Sequence, residues 1–177
     1  NRWRDDTTIR RYGTFIFIRS LNTNKILSTT FEPICKKAKF YKSKFSPDKA
    51  EYLLKEDNLE VHTEICVSPE DNCEIRKITI TNFNSDDIVL ETTSYSEIVL
   101  NNLNADIAHT TFSNLFVRTE FEEKYSTIFA SRRPREEGRE PHFAFHSILI
   151  LGNLIGSIEY ETDRLKFLGR GKTISEP

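Results

Sequence analysis

The chain has 177 residues, 37% of them hydrophobic, with 13 Phe, 6 Tyr and a net charge of −2. That length fits one domain, long enough to bury roughly 70% of the surface its unfolded form exposes. No apolar run approaches the ~20 residues that a membrane-crossing helix needs, which excludes direct membrane insertion by a helix of this segment.

Residues 13–18, 25–29, 38–45 and 49–55 read as strands, because their apolar positions are mostly aromatic or β-branched. Between residues 59 and 67, Leu59, Val61, Thr63, Ile65 and Val67 alternate with Glu60, His62, Glu64 and Cys66, the pattern of a half-buried strand. Ser68-Pro69-Glu70-Asp71-Asn72 is a turn, and residues 73–81 resume the alternation, predicting an antiparallel hairpin. A turn over 82–87 precedes a long strand over 88–100, and a short helix fits residues 105–113. Strands follow over 115–121, 125–131, 142–150 and 157–161. Roughly eleven strands with turn signals between them predict an all-β fold, a large antiparallel β-sandwich.

Several features bound the setting. Methionine is absent, position 1 included, and no signal peptide opens the chain. The sequence is therefore expected to be one domain, residues 1–177, cut from a longer multidomain protein. Cys35, Cys66 and Cys73 are odd in number and lack metal-ligand spacing, which points to a reduced, cytoplasmic compartment. Residues 1–50 carry twelve Lys and Arg against four acids, and the remainder carries thirteen against twenty-three. Such asymmetry can mark a nucleic-acid arm. The lysines at 36, 37, 39, 42 and 44 better suit a charge-guarded sheet edge, since no RNA-binding aromatic motif accompanies them. No nucleic-acid partner is expected.

Candidate chemistry is sparse. His142 and His146 are four apart, but zinc needs three or four ligands and no third is positioned. Arg132-Arg133-Pro134-Arg135 with Arg139 suits bidentate capture of a phosphate or carboxylate, although Glu136, Glu137 and Glu140 neutralise most of it, as in a solvated loop. Glu97 lies between Tyr95 and Val99 on one strand face, so it either pairs with an arginine or faces a ligand groove. Asp106 and His109 share one helical face, as an acid–base couple or as a brace for that turn, the brace being the better reading.

The stretch from Glu161 to Thr173 concentrates charge, three large apolar side chains and a Gly-x-Gly turn. Its Gly171-Lys172-Thr173 end is no P-loop, because the first glycine of that pattern would fall where Lys166 stands. Asp163, Arg164 and Arg170 form either a rigid donor fork or an internal Asp–Arg pair. No metal set, cofactor motif or nucleophile signature is visible, and no cofactor is expected.

Taken together, Tyr12-Gly13-Thr14-Phe15-Ile16, Ser68-Pro69-Glu70-Asp71, Ser94-Tyr95-Ser96-Glu97-Ile98-Val99-Leu100 and Ala105-Asp106-Ile107-Ala108-His109 carry a family pattern. Phe112-Ser113-Asn114-Leu115-Phe116-Val117, Arg132-Arg133-Pro134-Arg135 and the stretch 161–173 extend it. In these motifs the chain resembles the β-sandwich domain of the cellobiose-phosphorylase-type family, glycoside hydrolase family 94, in its cyclic β-1,2-glucan synthase branch. Thr110, where a proline is expected, and Lys172, where an arginine is expected, depart from the pattern.

The resemblance implies a galactose-mutarotase-like super-sandwich that stops short of its last strands, whose open edges suit an added strand or a homodimer. It implies an accessory, noncatalytic domain. The catalytic acid of the parent, an inverting glycoside phosphorylase or glycosyltransferase anchored in the inner membrane, would lie in a separate (α/α)6 barrel. The implied partners are a β-glucan or oligosaccharide and that barrel, faced by Arg132, Arg133, Asp163, Arg164 and Arg170. Alternatives are an aldose mutarotase-like enzyme drawing on His62, His109, His142 or His146, and a stand-alone glycan-binding module, for which Trp3 is the one tryptophan.

Overall fold

A computed structural model describes residues 12–134 and 140–176. Trp3, Arg135, Glu136, Glu137 and Arg139 lie outside the described residues. The chain divides into two units, one built on residues 14–95 with 174–176, the other on residues 96–173.

The first unit holds β1 (Thr14–Ser20), β2 (Ile26–Ser28), β3 (Phe40–Phe45), β4 (Ala50–Glu56), β5 (Leu59–Val67), β6 (Glu74–Asn82) and β7 (Leu90–Ser96). They form a three-stranded sheet in the order β2-β1-β7 and a four-stranded antiparallel meander, β3-β4-β5-β6. Phe15, Ile16, Phe17 and Ile18 are all buried, so β1 is covered on both faces. A continuous apolar run suits such a central strand better than alternation does. Ile18 from one sheet meets Leu54 and Val61 from the other, and Leu27, Tyr41, Ile78 and Leu90 close around them. The unit is thus a two-layer sandwich. Ile174, near the end of the chain, is 1% exposed within this same unit.

Local signals set the meander. Asp57 and Asn58 both adopt positive φ, +49° and +59°, between the paired residues Glu56 and Leu59. Their short polar side chains tolerate the left-handed conformation that a tight hairpin turn requires. Ser68 Oγ accepts from the amides of Glu70 and Asp71, closing the predicted turn between β5 and β6. Lys42 and Lys44 lie on the edge strand β3, while Lys36, Lys37 and Lys39 fall in the loop before it.

The outer face of the meander carries a row of charge. Register places Lys44, Glu51, Glu64 and Lys77 side by side across four strands. Lys49 Nζ donates to Glu64 Oε1 at 2.7 Å, and Lys77 Nζ stands 3.3 Å from Oε2. Those two ammonium groups, Lys49 foremost, hold the Glu64 carboxyl down at about 2. A depressed carboxyl contributes stability above its unfolded value near ~4.3, and that contribution is lost as pH falls through the folded value. Urea midpoints measured down the pH scale are expected to fall between about pH 4.5 and pH 2. Glu64→Gln is expected to start lower at neutral pH and to show a shallower fall across that window; identical profiles would refute the ion-pair account.

The second unit holds α1 (Leu103–Ala108), α2 (Thr110–Asn114), β8 (Val117–Glu122), β9 (Thr127–Arg132), β10 (His142–Ser147) and α3 (Arg164–Leu168). Its antiparallel sheet has the order β10-β9-β8. The single helix expected over 105–113 is two short ones, broken at His109. Asn102 caps the first, its Oδ1 accepting from the Ala105 amide at 2.8 Å.

The strand expected over 157–161 does not form. Gly156 upstream sits at φ +83°, and Tyr160 instead stacks on Phe121 with centroids 4.0 Å apart. Ring stacking satisfies its apolar side without a ladder. The fold is all-β and antiparallel, with ten strands in three sheets among the described residues. No helix among them is long and apolar enough to cross a membrane.

One face of the second unit's sheet is apolar and open. Phe145 pairs in register with Phe129, and Phe143 with Ser131, which sets the three rings on one side. Phe143 is 71% exposed and Phe145 64%. Leu149, Leu151 and Ile155, in the irregular segment after β10, are exposed too.

Candidate functional site

The sequence nominated five residues: Arg132, Arg133, Asp163, Arg164 and Arg170. Arg132 ends β9 and is 7% exposed. Its Nη1 donates to the Val99 carbonyl at 3.2 Å and to the Ser113 carbonyl at 2.8 Å. Its guanidinium lies 5.5 Å from the centroid of the Phe116 ring. A buried guanidinium is kept only where its donors find acceptors, and these carbonyls at the end of α2 and after β7 supply them. Arg133, next along the chain, is exposed, and its amide donates to the Phe116 carbonyl.

Asp163 is the N-cap of α3. Its Oδ1 accepts from the amides of Leu165 at 2.8 Å and Lys166 at 3.3 Å, two of the donors that a helix start leaves unpaired. Arg164 Nε donates to Glu97 Oε1 at 3.0 Å. The Glu97 side chain is only 9% exposed, against 57% for Arg164, so the arginine covers a carboxylate that the fold has largely withdrawn from water. Of the two readings open for Glu97, the structure gives the arginine pair, with Arg164. The aspartate caps α3 and the arginine reaches residue 97.

Arg170 is exposed between Gly169 at φ +81° and Gly171 at φ +75°. Left-handed backbone on both sides favours glycine, which accounts for the Gly-x-Gly spacing.

Two of the five residues, Arg132 and Arg164, therefore tether one short segment, residues 97–99. Leu100 follows it at φ +49°, and the strand that the sequence had carried to that residue ends earlier, at Ser96. Arg133 and Arg170 present guanidinium groups to solvent.

The histidines divide. His62 lies 3.5 Å from Glu51 on the outer face of the meander, where Lys44 and Lys49 also hold that carboxylate. His109 is exposed while Asp106, three residues before it, is buried. His142 and His146 share one face of β10, and His146 Nδ1 stands 3.4 Å from Ser96 Oγ. Among the described residues no three His, Cys, Asp or Glu side chains converge as a metal site. Sequence reasoning missed the Ser96–His146 contact, since fifty residues separate the two and neither segment carries a local signal for it.

The glycosyl hydrolase 94 supersandwich domain model matches residues 1–177. Over 175 residues the chain is 35% identical to the cyclic β-(1,2)-glucan synthase NdvB of Rhizobium meliloti (strain 1021). The alignment covers 99% of this chain and 6% of that protein, so the chain spans a small part of the relative's length. On the match over its whole length, together with its antiparallel sheets, the chain belongs to the glycosyl hydrolase 94 supersandwich domain family.

Proposed function

We propose that the chain is an accessory, noncatalytic domain of a cyclic-glucan-synthase-like glycosyltransferase or glycoside phosphorylase. It supports an (α/α)6 catalytic barrel carried elsewhere on a longer, cytoplasmic-side polypeptide anchored in the inner membrane. The observation that carries this reading is the open apolar face of the β10-β9-β8 sheet, with Phe129, Phe143 and Phe145 exposed together. Contiguous exposed rings on a folded domain mark a surface built to be covered. The relative's much greater length supplies polypeptide to cover it. Arg133 and Arg170, free of the tethering work that occupies Arg132 and Arg164, are the arginines available to a barrel or a saccharide.

The test is activity of the 177-residue chain with β-1,2-glucan plus inorganic phosphate, and with glucose 1-phosphate, beside a longer polypeptide that contains it. The chain alone is expected to show no turnover. Phe143→Asp with Phe145→Asp is expected to cut the activity of the longer polypeptide by about tenfold or more, the scale of a lost interface hot spot. The unfolding midpoint of the chain itself should stay where it is. Phosphorolysis by the chain alone would sink the accessory role; full activity of the doubly substituted longer protein would sink the docking face.

A further inference from the structure

A cavity of about 330 Å³ opens in the first unit where β2 and β3, each at the edge of its sheet, leave the sandwich unclosed. The loop joining those strands runs over it and contributes Phe31, Ile34 and Ala38. With Leu27, Tyr41 and Leu54 they make an apolar lining of small-ligand size.

The polar groups inside are already engaged. Glu56 Oε1 accepts from Lys25 Nζ at 2.7 Å and Oε2 from the Lys39 amide at 2.6 Å. Lys25 also reaches Asp57 at 2.6 Å, and the Tyr41 hydroxyl accepts from the Phe31 amide. Lys36 and Lys37 differ. Both line the cavity, both are exposed, and neither forms an ion pair among the described residues.

This distribution selects a ligand class. A sugar would bring many hydroxyls to a lining whose interior ammonium and carboxylate are committed to one another, with little beyond the Tyr41 hydroxyl to replace the hydrogen bonds to water that it would lose. A neutral hydrocarbon would leave two lysines unused at the mouth. We propose that this cavity binds a small soluble carboxylate with an aromatic or short acyl body, its apolar part against Leu27, Leu54 and Tyr41 and its carboxylate at Lys36 and Lys37. The site shares no residue with the face that would dock a barrel, so the two proposals stand or fall separately.

Calorimetric titration of the 177-residue chain with naphthoate, neutral naphthalenemethanol and a β-1,2-glucan oligosaccharide tests it. Naphthoate is expected to bind about fivefold more tightly than the alcohol, the advantage that two exposed ammonium groups provide. That margin should shrink to about twofold or less in Lys36→Gln with Lys37→Gln, and likewise in high salt. Ala38→Phe, which fills the cavity, should abolish binding of both ring ligands. If the filled variant misfolds, the lysine variant decides alone, since both positions are exposed. Equal affinity for acid and alcohol, an oligosaccharide that binds more tightly than either, binding indifferent to the lysines, or no naphthoate binding at millimolar concentration would each overturn the assignment.

Discussion

Arg132→Ala is expected to destabilise the second unit by about 3 kcal/mol or more, the largest effect of any single polar substitution among the five nominated residues. The side chain is buried, and its removal takes a donor from both carbonyls, leaving Ser113 with the Phe116 amide at 3.4 Å and Val99 without the guanidinium. An orphaned buried acceptor costs about 1–3 kcal/mol, and a hydrogen bond from a charged donor is itself worth about 1.5–3 kcal/mol. The ring contact with Phe116 is lost as well. In a chain of this length the melting transition should move down by roughly 6–12 °C. Arg132→Lys should recover only part of the loss, because the shorter side chain sets its ammonium short of the position from which Nη1 reaches both carbonyls and gives up the planar contact with Phe116. Amide exchange should quicken in residues 97–99 and at the end of α2. An unfolding midpoint unchanged by Arg132→Ala would show that the guanidinium is not a tether, and would return it to the list of ligand-facing groups.

Ile18→Ala is the second large effect, expected at about 2–5 kcal/mol in the first unit. Ile18 is 2% exposed and is the β1 member of the cluster that joins the two sheets through Leu54 and Val61. Truncation removes several methyl and methylene groups at a site walled by β-sheet on both sides, where relaxation into the hole is limited. Ile18→Val, which removes one carbon, should cost about 1 kcal/mol. Urea titration of both variants checks the gradient. A loss for Ile18→Ala no larger than that for Ile18→Val would mean that the layers meet elsewhere.

The strands were legible wherever a side chain's own neighbourhood decides the outcome. β5 spans the same residues as its alternation, and the turn at 68–72 follows from Ser, Pro, Asp and Asn chemistry. The end of β7 at Ser96 was not legible, because the alternation of Tyr95, Glu97 and Val99 continues past it. α3 carried its signals in plain sight: Asp163 at the cap and Gly169 closing the helix. The dense charge of that stretch drew attention to ligand binding instead. At the candidate site, arginines in a loop and arginines folded into a core are written with the same letter. Only the three-dimensional pairing of Arg164 with Glu97, 67 positions away, and of Arg132 with two carbonyls separates a fastener from a hand held out to solvent.

Ile174 carries a consequence for how the molecule is made. Residues 96–173 must leave the ribosome before this residue emerges, yet it belongs with strands translated before them. The early sandwich must therefore wait, partly open, while the second unit is synthesised, and seal only when Ile174 arrives. Long sequence separation of that kind slows closure and lengthens the exposure of unfinished sheet to other chains.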